Sequence, residues 1–140
     1  MKKMLFFALF ALSYTINAQN HSDLWLKIDE IRRTKFPETY QYKLDEKNFS
    51  SSFLTVTIDI DDKFVNGTTL DQKSLADIAG IGYILPTEKE LLSIYGTSAG
   101  NGVILIYTHS YANANPKVRD FFKITFPAPE LPENKNKKKK

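Results

Sequence analysis

The run Val103-Ile104-Leu105-Ile106-Tyr107 constrains this chain more than any other segment. It has no polar residue at either the two-residue period of a half-exposed strand or the 3.6-residue period of an amphipathic helix. A short, continuous, largely β-branched run of this kind fits a strand buried on both faces. Such a strand cannot stand alone, and the other elements of the chain have to pair with it and cover it.

Those elements can be read in order. Ser22 suits an N-cap, with Asp23 in the first turn where a carboxylate complements the helix dipole. Leu24, Ile28 and Ile31 recur at i, i+4, i+7 beside Trp25, which predicts a short amphipathic helix from Asp23 to Arg33, stopped by Pro37. Tyr40 and Tyr42 suit a short extended segment. From Phe53 the pattern changes: Leu54, Val56, Ile58 and Ile60 alternate with Thr55, Thr57 and Asp59, as in a half-buried strand. Asp61-Asp62 turns the chain, Lys63-Phe64-Val65 continues it, and Asn66-Gly67 is a second turn signal. Leu70 to Ala79 reads as a helix ended by Gly80, and Ile81 to Leu85 as a short strand closed by Pro86. Thr87 and Glu90 form a capping box for a helix over Glu88 to Tyr95, which Gly96 ends. After the Val103–Tyr107 strand, Phe121 to Phe126 reads as a last strand running into Pro127, Pro129 and Pro132, which keeps it out of a central position. The order β-β-α-β-α-β-β predicts an α/β (α+β) fold, a small mixed sheet with two to three short helices, in one domain from Gln19 to Pro132.

The two ends differ from this body. Lys2 and Lys3 precede an apolar stretch, Met4 to Ile16, too short to span a bilayer comfortably, and Ala18 is a small residue before Gln19. Residues 1–18 therefore read as a signal peptide, and the mature chain is expected to be exported and periplasmic. An exported chain with no cysteine has no disulfide framework and no thiolate chemistry, so its core alone has to hold the fold. Residues 133–140 hold five Lys and one Glu, a tail expected to be disordered. The body from Gln19 to Pro132 then carries 12 basic and 15 acidic residues, so the basic pI comes from the ends and no nucleic-acid-binding face is expected. Lys137, Lys138, Lys139 and Lys140 admit two readings, a solvated tail or a weak electrostatic contact with an anionic membrane surface.

Chemistry-bearing patterns are sparse. Gly96-Thr97-Ser98-Ala99-Gly100 matches G-x-S-x-G, but a nucleophile elbow places a strand before the Ser and a helix after it. The predicted order here is the reverse, with only His21 and His109 as candidate bases. The same glycines lead into a strand, unlike a phosphate loop, whose donors come from a following helix N-terminus. Asp59, Asp61 and Asp62 lack the fifth and twelfth ligands of a calcium loop, where Lys63 and Leu70 stand, and read as a solvated hairpin tip. No catalytic residue, metal ligand or cofactor is expected.

One stretch resembles a known family. Asp77-Ile78, Ile84-Leu85, Ile94-Tyr95-Gly96 and Asn101-Gly102-Val103-Ile104 fall at the spacing of the C-terminal part of the plug domain of TonB-dependent outer-membrane receptors, most closely the nutrient importers of the Bacteroidota. The resemblance covers about half of the mature chain, from Ser74 to Thr108, with a weaker upstream echo at Thr57-Ile58-Asp59. It implies that Tyr95, Gly96, Asn101 and Gly102 are turn residues that determine the fold. A receptor's barrel needs many further alternating strands, and the residues after Thr108 do not hold them. The implied role is therefore non-enzymatic: a plug-like periplasmic domain that binds, and occludes or gates, an outer-membrane barrel in trans. The alternative is a generic periplasmic interaction or assembly module acting on another envelope protein. Either needs a contact surface, for which the sequence offers Trp25 and Ile28 on the first helix and Phe121, Phe122 and Ile124 on an edge strand open to a partner's strand.

Overall fold

Strand β4 (Val103–Thr108) is the central strand of a five-stranded sheet ordered β2-β1-β4-β3-β5. The computed structural model describes residues 21–42 and 55–130. The signal-peptide reading, the start of the first alternating strand at Phe53 and Leu54, and the lysine tail lie outside the described residues. Strand β1 (Thr57–Ile60) runs parallel to β4, with Thr57 opposite Val103 and Ile60 opposite Ile106. The long strand β3 (Ile78–Ile84) lies antiparallel on the other side of β4, with a bulge between Ile78 and Gly80. Hairpin partner β2 (Lys63–Phe64) and the two-residue β5 (Ile124–Thr125) form the edges. The sheet is small and mixed and the fold is α+β, as expected.

Register assigns the two faces. Ile58, Ile60, Ile104, Ile106 and Ile81 share one face and pack under helix α1 (Asp23–Lys35) through Leu24, Ile28 and Ile31, joined by Phe36 and Leu70. Val103, Leu105, Tyr107 and Ile84 share the other face, covered by Leu92, Ala99, Ala112 and Val118 from short helical segments. These are α3 (Lys89–Leu92), α4 (His109–Ala114) and the 3₁₀ turns at Ser93–Tyr95, Thr97–Ala99 and Pro116–Phe121.

Helix α1 starts where the cap predicts. The Ser22 hydroxyl accepts from the Trp25 N–H at 3.0 Å, and donates at 2.7 Å to the carbonyl of Leu70. Leu70 belongs to α2 (Gly67–Asp71). His21 reaches both oxygens of Asp71 at 3.1 Å and stacks on Trp25 with ring centroids 3.8 Å apart. The helix start is thus tied to α2 by polar contacts while its apolar face enters the core. At the other end Arg32 is buried and donates to the Tyr42 carbonyl at 2.5 Å, and its guanidinium lies 5.6 Å from the Tyr40 ring centroid. Residues Pro37 to Tyr42 are consequently a turn wrapped on the helix rather than an extended segment.

Other elements depart from the sequence reading as well. The strand expected to be half-buried is buried throughout, because β1 is an interior strand: Thr55, Thr57 and Asp59 are as enclosed as their apolar neighbours. Asn66 caps α2 by accepting from the Thr69 N–H at 3.1 Å, so Asn66-Gly67, read as a turn signal, starts a helix. The helix expected over Leu70–Ala79 stops at Asp71; a 3₁₀ turn at Leu75–Asp77 follows, and β3 has already begun at Ile78. The capping box at Thr87 does not form. Glu88 takes the N-cap position without a side-chain cap and instead accepts from the Leu85 N–H at 2.8 Å, leaving a short α3 that tightens into 3₁₀ at Ser93. Beyond β4 the structure adds α4, which the sequence reading lacked, and reduces the last strand to Ile124–Thr125.

The turn into β4 follows the sequence. Gly96 has φ +80° and Gly102 φ +98°, both in the left-handed region that favours glycine. At Gly102 space is short as well: an added Cβ would meet the Phe36 ring and would stand 2.7 Å from the Ile84 carbonyl oxygen. Gly102→Val is therefore expected to destabilise the fold by about 3 kcal/mol, read as a lower urea midpoint at unchanged slope. An unchanged midpoint would refute this account of the turn.

Candidate functional site

The second face of the sheet carries one polar corner. Asp59 lies on β1 beside Leu105 of β4 and opposite Phe64 of β2, so apolar residues flank it on both neighbouring strands. It is only 3% exposed, and its Oδ1 is buried without a hydrogen-bond partner. Burial first, and the charge of nearby Asp62 second, push its carboxyl up to about 6. Sequence alternation placed Asp59 at a solvated tip together with Asp61 and Asp62; the structure corrects this. Only the latter two occupy the turn, at φ 51° and 63°. The sequence carried no local signal for this: Thr57 and Asp59 are interior because β1 pairs with the doubly buried β4.

The hairpin turn holds the corner together. Asp61 accepts from the Thr108 N–H at 2.9 Å and from its hydroxyl at 2.8 Å, locking the turn to the end of β4. Asp62 accepts from the Tyr107 hydroxyl at 3.1 Å and the Tyr111 hydroxyl at 2.5 Å. The rings of these two tyrosines stack at 5.9 Å, and Phe122 stacks on Tyr107 at 5.8 Å. Burial, followed by the charge of Asp62, raises the Tyr107 hydroxyl; burial, then Asp59 and Asp62, raises that of Tyr95. Three carboxyl groups, Asp59, Asp61 and Asp62, and three phenols therefore share one corner whose side-chain donors are neutral hydroxyls. Among the described residues no group of three or more His, Cys, Asp or Glu is placed to hold a metal ion.

The residues singled out in the sequence divide between turn, core and surface. Tyr95 and Gly96 form the 3₁₀ joint over the polar corner, and Gly102 starts β4. Asn101 precedes it with negative φ. Ile28 is fully buried on the inner face of α1 and is core, which removes it from any contact surface. Trp25 is partly buried against the same cluster and occupied by His21. Phe122 packs into the second cluster, where its ring lies against Gly80, and Ile124 packs into the first. Of the five proposed contact residues, Phe121 alone is largely exposed, at 47%. Strand β5 does lie at a sheet edge, as expected. The G-x-S-x-G segment runs from one 3₁₀ turn through another into β4, the reverse of the strand-to-helix order that an elbow needs. No helix among the described residues is long and apolar enough to cross a membrane.

The polar corner makes a pH prediction. Folded Asp59 holds its proton up to about 6, against 3.8 for an ordinary Asp, so the folded state binds more protons than the unfolded one between those values. Its contribution to stability is complete at low pH and is lost as pH rises toward 6. Two pKa units at about 1.4 kcal/mol each amount to about 3 kcal/mol. Asp59→Asn, neutral at every pH, is expected to be more stable than wild type at neutral pH by up to this amount, with the difference shrinking toward pH 4. Parallel urea titrations check it, and a pH-independent difference would count against it.

No family model, curated protein or solved structure matches the chain, so its functional reading rests on the residues and their geometry.

Proposed function

We propose that this chain is a non-enzymatic, plug-like domain of the bacterial envelope that binds an outer-membrane barrel protein in trans and, seated there, occludes or gates it. The observation that carries the reading is the segment from Ile94 to Ile104. Its Tyr-Gly and Asn-Gly-Val-Ile blocks, the residues of the plug resemblance, form the joint at Gly96, the tight turn at Gly102 and the start of a strand dry on both faces. The small mixed sheet agrees with what the resemblance implies. One observation favours the second reading, a self-standing periplasmic interaction or assembly module: both faces of the sheet are covered by the chain's own elements. A domain that completes its own core needs no barrel wall to fold.

The contact surface has to come from apolar side chains that the core leaves out. Phe121 stands beside β5, an edge strand of the sheet, and an edge strand can pair with a partner's strand. Affinity purification of the tagged mature chain from its native envelope tests the proposal. Stoichiometric recovery of a barrel protein supports it; recovery of soluble periplasmic proteins alone supports the second reading. Phe121→Asp is expected to leave the melting temperature within about 2 °C of wild type while reducing partner recovery. Phe122→Asp, placing a charge in the second cluster, is expected to cost about 3 kcal/mol of stability. If Phe121→Asp retains the partner as well as wild type does, the β5 edge is not the interface.

A further inference from the structure

We infer that Asp59 is a proton-operated latch on the layer of short turns that covers the second face of the sheet. The buried carboxyl with its unpartnered Oδ1 lies in the same corner as Asp62, whose two oxygens already accept from Tyr107 and Tyr111. Asp59 faces Asp62 of the hairpin turn and Tyr95 of the 3₁₀ turn Ser93–Tyr95, while Tyr107 of β4 and Tyr111 of α4 bond Asp62, and Asp61 of the same turn is held by Thr108. Strands β2 and β4 present uncharged Phe64 and Leu105 directly beside it. Lys89, Glu90, Lys117, Arg119 and Asp120, on the other elements over this face, are exposed to solvent. His109 opens α4 with its Nε2 buried and unpartnered, and no contact joins it to Asp59. Among the described residues, no cation therefore balances a second negative charge in this corner.

Protonated Asp59 is neutral and the layer can close over it. When the carboxyl gives its proton to water, a buried carboxylate with an unpartnered Oδ1 lies in the field of Asp62 on the exposed turn, and the hydroxyls of Tyr107 and Tyr111 are committed to Asp62. Hydration of Asp59 relieves this, and the cover most easily displaced is the pair of 3₁₀ turns joined at Gly96. Neither turn has a side-chain cap, and Gly96 is a positive-φ joint with nothing within 4 Å of its would-be Cβ. Tyr95, on the first turn, lies in the field of both carboxylates. Opening there exposes Leu92 and Ala99, which are buried in the closed form, beside the already exposed Leu91 and Ile94.

Amide hydrogen exchange of the mature chain at about pH 5 and about pH 7.5, corrected for intrinsic rates, tests the latch. Wild-type peptides spanning residues 89–102 are expected to lose roughly tenfold or more of their protection at the higher pH, and to exchange there faster than peptides from α1, whose opening requires global unfolding. In Asp59→Asn the protection of residues 89–102 is expected to be the same at both values. Should that variant not fold, Asp62→Asn, which removes the neighbouring charge, is expected to show a smaller loss than wild type. Equal wild-type protection at both pH values overturns the inference. So does the same loss in either variant, or exchange of α1 as fast as that of residues 89–102 at the higher pH.

Discussion

Removing both faces of β4 from water is the constraint on which the rest of this structure depends. Val103, Ile104 and Ile106 have no exposed surface, and Leu105 and Tyr107 almost none. Burying a large aliphatic side chain contributes about 1.5–3 kcal/mol, but only if another layer supplies the contact. The backbone of β4 is completed by β1 on one edge and β3 on the other, and its side chains then require cover above and below. In a chain this small, with no disulfide to share the load, a three-layer arrangement is what satisfies all four demands.

The two covers are built differently. One is a single helix of 13 residues, capped at Ser22 and tied to α2, over an aliphatic face of the sheet. The other is assembled from short α and 3₁₀ pieces that return close to the sheet, with Phe122 against Gly80 and the Phe121 carbonyl against Gly82. Polar groups collect under the second cover, where Thr57 and Asp59 share the β1 face with the β4 residues Val103 and Leu105. A regular helix over a dry face gives stability without a variable element. A segmented cover over a buried acid gives a layer whose closure depends on the charge beneath it, and it is also the part built from the residues of the plug resemblance.

How much was legible in the sequence depended on whether the signal was local. The Ser22 cap, the Asp61-Asp62 turn, the glycines at 96 and 102 and the buried Val103–Tyr107 run were all readable, because backbone sterics, a cap hydrogen bond or an unbroken apolar run acts within a few residues. The candidate contact residues were read less well. Apolar periodicity marks Ile28 as the face of a helix but does not say whether that face meets a sheet or a partner, and in the fold it meets the sheet. Helix α4 was missed because His109-Ser110-Tyr111-Ala112-Asn113-Ala114 has a weak helical pattern, with one buried residue, Ala112, to anchor it.

By itself, then, the sequence determined a cysteine-free α+β domain organised around one doubly buried strand, with its turns placed by glycine and aspartate. Only the tertiary structure decided which strands were interior, and with that the environment of Asp59. A carboxylate in an alternating strand is solvated at an edge and desolvated in the middle of a sheet. Strand order is set by pairings between residues more than forty positions apart, Thr57 with Val103 and Ile60 with Ile106, which no local pattern encodes.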